Sequence, residues 1–147
     1  MKGRLTLTII KPGAVEENYI GPILTMIHND GFHIAAMKLT RLTPHQAELF
    51  YQVHRGKPFY EGLIEFMISG PIVVAILEKE NAVESYRRLI GSTDPEKAEE
   101  GTIRKLYAKS VRQNAVHGSD SDENAEEECD FFFAKSERFY KSEDCCG

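Results

Sequence analysis

Short strand-like segments alternate with helix-like segments along the chain, and this alternation constrains the fold more than any other feature. Apolar residues alternate with threonines from Leu5 to Ile10, which predicts a strand ending in a turn at Lys11-Pro12-Gly13. An unbroken apolar run from Ile72 to Leu77 is typical of a central strand. Phe32 to Leu42 predicts another strand, and Asn114 to Val116 is a short fourth candidate.

Helix signals fill the intervals between these strands. Ile20, Ile23, Leu24 and Ile27 recur at helical spacing, and Gly31 follows where a helix commonly ends. Apolar spacing and helix-start patterns predict further helices over residues 44–53, 59–67, 81–90, 102–109 and 121–132. Two of these starts are capping patterns, Thr43-Pro44-His45-Gln46 and Asn81 with Glu84.

The order of the segments predicts the fold class. Helices separate most of the strands, and links of hairpin length are scarce. Two βαβ-like halves around one sheet indicate a ferredoxin-like βαββαβ plan, an α/β (α+β) fold with a four-stranded antiparallel sheet and added helices. We expect the helices to cover one face of that sheet. The length of 147 residues fits a single domain over residues 1–147.

The charge balance narrows the range of partners. The chain has 23 acidic and 18 basic residues, a formal net charge of -5. Because polyanion binding needs clustered positive charge, nucleic acid is an unlikely main partner. A small anionic ligand is compatible with this balance, since a local pocket of lysine and arginine can exist in an acidic protein.

Cysteine usage and the absence of long apolar runs predict a soluble, cytoplasmic protein without a membrane partner. Cys129, Cys145 and Cys146 form neither a disulfide framework nor a zinc-binding pattern, which indicates a reducing compartment. The apolar segment near the N-terminus is too short for the core of a signal peptide. No run in the sequence approaches membrane-spanning length.

The segment most informative about chemistry runs from Asn114 to Ser121. His117 is followed by Gly118, which permits unusual backbone angles and close approach of a ligand, and then by three short oxygen-bearing side chains at a helix start. Free N–H groups at a helix N-terminus favour an anion, and a neutral imidazole is a good nucleophile near pH 7. The pattern fits a histidine that attacks phosphate, and it fits equally well a capped helix start with a surface histidine.

Asn-x-x-His-Gly-Ser-Asp-Ser resembles the active-site signature of the nucleoside diphosphate kinases. The resemblance extends from Thr8 to Phe133, with blocks in the family's order and spacing. These blocks are Ile10-Lys11-Pro12, Tyr51, His54-Arg55-Gly56-Lys57-Pro58-Phe59, Ser69-Gly70-Pro71, Gly91-Ser92-Thr93-Asp94-Pro95 and Gly101-Thr102-Ile103-Arg104. Gly13 and Lys105-Leu106 depart from the family's pattern at positions without a direct catalytic role.

The resemblance implies a set of catalytic residues. His117 is the nucleophile and takes the phosphate on Nδ1. Glu128 binds the other ring nitrogen and fixes the tautomer, and Ser119 supports both side chains. Lys11 reaches the transferred phosphate and the sugar hydroxyl, and Tyr51 lies close to the path of the phosphate.

The resemblance also implies the nucleotide contacts and the partners. Phe59 stacks on the base, which predicts broad base tolerance, and Asn114 contacts the sugar. The distal phosphates bind Arg87, Thr93 and Arg104. The partners would be nucleoside triphosphates and diphosphates, with Mg²⁺ bridging the phosphates and few or no direct protein ligands to the metal.

A homo-oligomer is implied as well, more often a hexamer than a tetramer. The polar, proline-containing segment from Ser92 to Glu100 predicts a long surface loop. This segment matches the family loop that packs around the hexamer's threefold axis, and Pro95 occupies that loop's proline position.

Each candidate residue also has a structural interpretation. Phe59 precedes an apolar helix, Arg87 adjoins another arginine on a helix, and Glu128 ends an acidic run that is usually solvated. Four other histidines are interpreted as structural: His28, His33, His45 and His54. The alternatives to the kinase are a non-catalytic ferredoxin-like nucleotide-binding or regulatory module and a phosphocarrier protein, and neither needs the full set of matched residues.

Overall fold

A four-stranded antiparallel sheet forms the centre of the structure, a computed structural model that describes residues 3–141. The strands are β1 (Leu5–Ile10), β2 (His33–Thr40), β3 (Ile72–Glu78) and β4 (Val116–Gly118). Their order across the sheet is β2-β3-β1-β4, with every neighbouring pair antiparallel. This order confirms the predicted ferredoxin-like plan. Cys145 and Cys146 lie outside the described residues.

Helices connect the strands in the predicted alternation. They are α1 (Pro12–Glu16), α2 (Ile20–Asn29), α3 (Pro44–Phe50), α4 (Tyr60–Met67), α5 (Ala82–Ile90), α6 (Ile103–Tyr107) and α7 (Asp122–Phe132). Short 3₁₀ turns occupy Gln52–His54 and Lys135–Glu137. Of the helices in residues 3–141, none is long and apolar enough to cross a bilayer.

Helices cover both faces of the sheet, so the expectation of one covered face is wrong. Leu7 and Ile9 of β1 pack in a core with residues of α3, α4 and α7. Val73 and Leu77 of β3 pack in a second core with residues of α1, α2, α5 and α6. Both central strands are buried along their whole length. A continuous apolar run such as β3 is the pattern of a strand that is buried on both sides.

The turn predicted at Lys11-Pro12-Gly13 and the capping pattern predicted at Asn81 both fail for backbone reasons, although α5 begins directly after Asn81 as expected. Pro12 and Gly13 begin α1 and do not form a simple turn, because proline is compatible with the first helical position. Asn81 adopts a left-handed conformation with φ of 52° and makes no side-chain cap. The capping box at Thr43 and Gln46 is confirmed, with both reciprocal hydrogen bonds formed.

Candidate active site

The fourth strand lies two residues later than predicted and contains His117. Val116 donates its N–H to the Asn114 carbonyl at 2.9 Å, and Ala115 between them has a φ of 74°. This tight three-residue turn is strained for a residue with a side chain, so the chain cannot be in a strand at Ala115. Pairing of β4 with β1 then sets His117 opposite Ile9.

The same turn holds Lys11 at the end of β1. The Lys11 N–H donates to the Ala115 carbonyl at 2.9 Å, and its Nζ donates to Asn114 Oδ1 at 2.8 Å. Burial, together with the nearby Arg104 charge, lowers the pKa of Lys11 to about 7. An anion bound beside Nζ would favour the protonated form and return the charge.

Gly118 has a different role from the one expected of it. Its φ is outside the left-handed region, which Ala115 occupies instead. A Cβ on Gly118 would lie 3.0 Å from the Tyr86 ring and 3.1 Å from Ile90. Glycine is therefore needed here so that β4 can pack closely against α5.

A chain of hydrogen bonds connects the strand β1 to the His117 ring. The Leu7 N–H donates to Ser119 Oγ at 3.1 Å, and the Ser119 hydroxyl donates to Glu128 Oε1 at 2.7 Å. The same Glu128 oxygen lies 2.8 Å from His117 Nε2. Ser119 is fully buried, and the two other side chains are partly exposed. Ser121 caps the start of α7 by accepting the Asn124 N–H, and Glu128 lies further along this helix, where its side chain contacts the histidine.

Two aromatic residues complete the surroundings of the histidine. The Phe50 ring meets the His117 ring edge-on with 5.5 Å between centroids. Tyr51 is buried, and its hydroxyl has no hydrogen-bond partner in the part of the chain that the structure describes. Burial and the Glu128 charge raise the pKa of Tyr51, so the phenol stays protonated.

A basic group lies on the α5 and α6 side of the histidine. Arg104 donates from its two terminal nitrogens to the Gly91 carbonyl at 2.9 Å and the Val116 carbonyl at 3.0 Å. Burial lowers the pKa of Arg104 to about 10, and the charge of Arg87 acts in the same direction. Thr93 lines the same end of the site.

These side chains surround one cleft of about 650 Å³. All the predicted site residues line it except Ser119, which lies behind Glu128. Phe59 lies at the edge of the cleft and is 45% exposed. Its ring contacts that of His54, with 5.2 Å between the centroids. His54, interpreted as structural, therefore lines the cleft.

Several further residues that line the cleft were not predicted from the sequence. They are Phe50, Val53, Leu63, Val111, Arg112, Asp120 and Asn124. These residues lie in helices and loops whose local sequence does not indicate that they line a cleft. Only Asp120 was within the motif that singled out the histidine, as one of the oxygen-bearing residues after it.

Comparison of the sequence with known proteins gives consistent matches. The family model described as nucleoside diphosphate kinase matches residues 4–138. The nucleoside diphosphate kinase of Flavobacterium psychrophilum is 58% identical over 134 residues, which cover 91% of this chain and 96% of that protein. That of Chlorobaculum tepidum is 59% identical over 132 residues, covering 90% and 94% of the two chains.

Solved structures match over a similar extent. The nucleoside diphosphate kinase of Aquifex aeolicus superposes with a TM-score of 0.89 at 44% identity, covering 91% of this chain and 97% of that one. The halophilic nucleoside diphosphate kinase from Halobacterium salinarum, solved in complex with CDP, gives a TM-score of 0.90 at 33% identity. That match covers 97% of this chain and 95% of the other.

The buried lysine generates a prediction about the pH dependence of stability. With a folded pKa of about 7, Lys11 loses its proton well before it would in the unfolded chain, where lysine titrates near ~10.4. Below pH 7 the buried charge destabilises the fold, and this penalty shrinks as the pH rises towards 10. The stability of Lys11→Met relative to wild type, measured by thermal unfolding, should therefore decline from pH 7 to pH 10. A difference in melting temperature that is independent of pH would contradict this.

Proposed function

The chain belongs to the nucleoside diphosphate kinase family, and on this basis we propose that His117 carries the phosphate from one nucleotide to the next. The protein is an enzyme that transfers the terminal phosphate of a nucleoside triphosphate to a nucleoside diphosphate. The alternatives of a non-catalytic module and a phosphocarrier protein are set aside. The observation that carries the role of His117 is its 2.8 Å contact with Glu128 at the wall of a cationic cleft.

The contact with Glu128 determines which ring nitrogen reacts. A carboxylate accepts hydrogen bonds, so Nε2 carries the ring proton and donates a hydrogen bond to Glu128 Oε1. Nδ1 then keeps its lone pair and is the nucleophile. As the ring bonds to phosphorus it gains positive charge, which the Glu128 carboxylate stabilises. Ser119 donates to the same oxygen and holds the carboxylate in place.

Transfer takes place in two half-reactions at one site. In the first, Nδ1 of His117 forms a bond to the terminal phosphorus, the bond to the bridging oxygen breaks, and a nucleoside diphosphate leaves. In the second, a terminal oxygen of another diphosphate attacks the phosphorus and the bond to Nδ1 breaks. Together the two half-reactions break one phosphoanhydride bond and form another of the same kind, so the ping-pong reaction is freely reversible.

The cationic side chains neutralise the phosphates. Phosphoryl transfer depends mainly on positioning and on charge stabilisation. Lys11 would bind the transferred phosphate, which would raise its pKa from about 7 and restore its full charge. Arg87, Thr93 and Arg104 would bind the distal phosphates, and their donors suit phosphate oxygens.

The remaining residues position the nucleoside and the path of the phosphate. Phe59 presents an aromatic face at the edge of the cleft, on which a base can stack. Asn114, already bonded to Lys11, would bind the sugar. Tyr51 remains a neutral phenol because its pKa is raised, so it can donate a hydrogen bond near the phosphate without repelling it.

Mg²⁺ is proposed to enter as part of the nucleotide substrate and would be held by its phosphates. Four cationic side chains line the cleft against two carboxylates, those of Asp120 and Glu128, and this excess of positive charge suits phosphate oxygens. Within residues 3–141, no group of three or more histidine, cysteine, aspartate or glutamate side chains could hold a metal ion. Mg²⁺ commonly keeps several waters and binds through substrate phosphates. When bound, the ion would supply further neutralisation of the phosphate charge.

The proposed assembly is a homo-oligomer, a hexamer in preference to a tetramer, and the proposed location is the cytoplasm. Met37 and Leu39 on the edge strand β2 are 50% and 64% exposed, an apolar surface suited to a second copy of the chain. The preference for a hexamer rests on the resemblance of the loop around Pro95 to the family loop at the hexamer's threefold axis. Cys129 is buried with a free thiol, which is compatible with a reducing compartment.

The nucleophile is tested by labelling. With Mg²⁺ and γ-labelled ATP, the wild-type enzyme should become radiolabelled on His117, and His117→Ala should lose both the label and nucleotide-dependent transfer. A phosphoramidate is labile to acid and stable to alkali, so acid treatment should remove the label. His33→Ala is the matched control, since His33 lies outside the cleft and should remain dispensable. Acid-stable label, or label that persists in His117→Ala, would disprove the assignment.

Glu128 is expected to act through His117 and not through the nucleotide. Glu128→Gln replaces the charged acceptor, so phosphorylation of His117 should slow by ~10²-fold or more, while nucleotide affinity stays nearly unchanged. Arg104→Ala should weaken binding as well as the rate. Rapid-quench kinetics and equilibrium binding separate the two effects. An equal loss of affinity and rate in Glu128→Gln would show that the carboxylate contacts ligand or maintains the fold.

The assembly is tested by light scattering coupled to size-exclusion chromatography. The wild type should elute with the mass of six chains at micromolar concentration. Replacement of Pro95 by glycine loosens the loop and should shift the population towards smaller oligomers. A stable wild-type monomer would contradict the proposal, and a wild-type tetramer would contradict the preference for a hexamer.

A further inference from the structure

Arg112 lies in the wall of the cleft and has no role in the proposed mechanism. Together with Val111 it lines the same cleft as Phe59, and both residues are exposed. The Arg112 guanidinium lies against α4 at Gly62. A Cβ built on Gly62 would lie 2.6 Å from one terminal nitrogen and 2.7 Å from Cζ. The absence of a side chain at Gly62 is therefore what allows the guanidinium to occupy this position.

This position is close to the proposed base-stacking residue. Phe59 immediately precedes α4, and Gly62 follows it by three residues, so the two lie on the same side of the helix about one turn apart. Within residues 3–141, the Arg112 side chain makes no hydrogen bond and no ion pair. Its donors are therefore available to a ligand in the cleft.

We propose that Arg112 determines specificity by favouring 6-oxopurine bases, guanine and hypoxanthine, over adenine and cytosine. This inference rests on the proposed function, in which the base stacks on Phe59 with its sugar directed to Asn114. A base in that position presents an edge to the wall that holds Arg112. Stacking on a ring without polar atoms does not distinguish bases, so the discrimination comes from the edge contact.

The chemistry of the base edges explains the preference. A guanidinium has only donors, arranged in a planar fork. Guanine and hypoxanthine offer two adjacent acceptors, O6 and N7, which match that fork. Adenine offers N7 beside an amino group, and cytosine offers an amino group, so each presents a donor to a donor. Because Arg112 is exposed to solvent, we expect a preference of about 5- to 10-fold, the low end for such pairs.

The test is calorimetric measurement of Kd for Mg²⁺ complexes of GDP, IDP, 7-deaza-GDP, ADP and CDP with the intact enzyme. The wild type should bind GDP and IDP about 5- to 10-fold more tightly than ADP and CDP. IDP lacks only the 2-amino group and should match GDP, whereas 7-deaza-GDP lacks the N7 acceptor and should bind more weakly than GDP.

Two variants remove the contact in different ways. Arg112→Met keeps an unbranched side chain without donors, and Gly62→Ala displaces the guanidinium while adding a good helix former. Both should bring the ratio of the ADP and GDP dissociation constants close to one. Arg88→Met is the matched control, because Arg88 is an exposed arginine outside this cleft, and it should retain the wild-type ratio.

Other results overturn the inference. A wild-type ratio of ADP to GDP dissociation constants near one would refute it, as would a ratio that survives Arg112→Met. Equal weakening of all five nucleotides by Arg112→Met would place the guanidinium on the phosphates. Failure of the proposed function is seen separately: His117 would not be labelled, or Phe59→Ala would leave every Kd unchanged.

Discussion

The pairing of the short strand β4 with β1 is the interaction on which the rest of the site depends. It sets His117 opposite Ile9 and brings Ser119 beneath the backbone of Leu7. The buried Leu7 N–H needs an acceptor, and the Ser119 hydroxyl supplies it while donating to Glu128. The orientation of the histidine ring is therefore coupled to a backbone hydrogen bond at the centre of the sheet.

The second general feature is that the buried cationic groups of the cleft donate their hydrogen bonds to uncharged oxygens. Lys11 donates to the Asn114 amide oxygen, and Arg104 donates to two backbone carbonyls. Such partners orient the side chains without neutralising their charge, and burial lowers the pKa of both groups. A bound polyphosphate would supply the missing negative charge. Because it would relieve the unfavourable burial of unpaired cations in the free enzyme, this relief would strengthen its binding.

The prediction of the fold from the sequence succeeded where a pattern is local and failed where it depends on contacts. The capping box at Thr43 and the apolar run of β3 indicated their elements correctly. The start of β4 was misplaced, because the left-handed turn at Ala115 has no glycine to signal it. The coverage of both sheet faces was not predicted, although the unbroken apolar run of β3 is the sequence pattern of a strand that is buried on both sides.

By itself, the sequence determined the alternation of strands and helices, the family resemblance and the residue types able to bind phosphate, because these are written in local order and spacing. Only the tertiary structure decided how residues distant in the chain meet. Gly118 is required by Tyr86 on α5, and Arg112 is accommodated by Gly62 on α4. His54 and Phe50 join the cleft through the packing of α3 and the turn after it. Close packing between elements sets these relations, and no single segment of sequence contains both partners of such a contact.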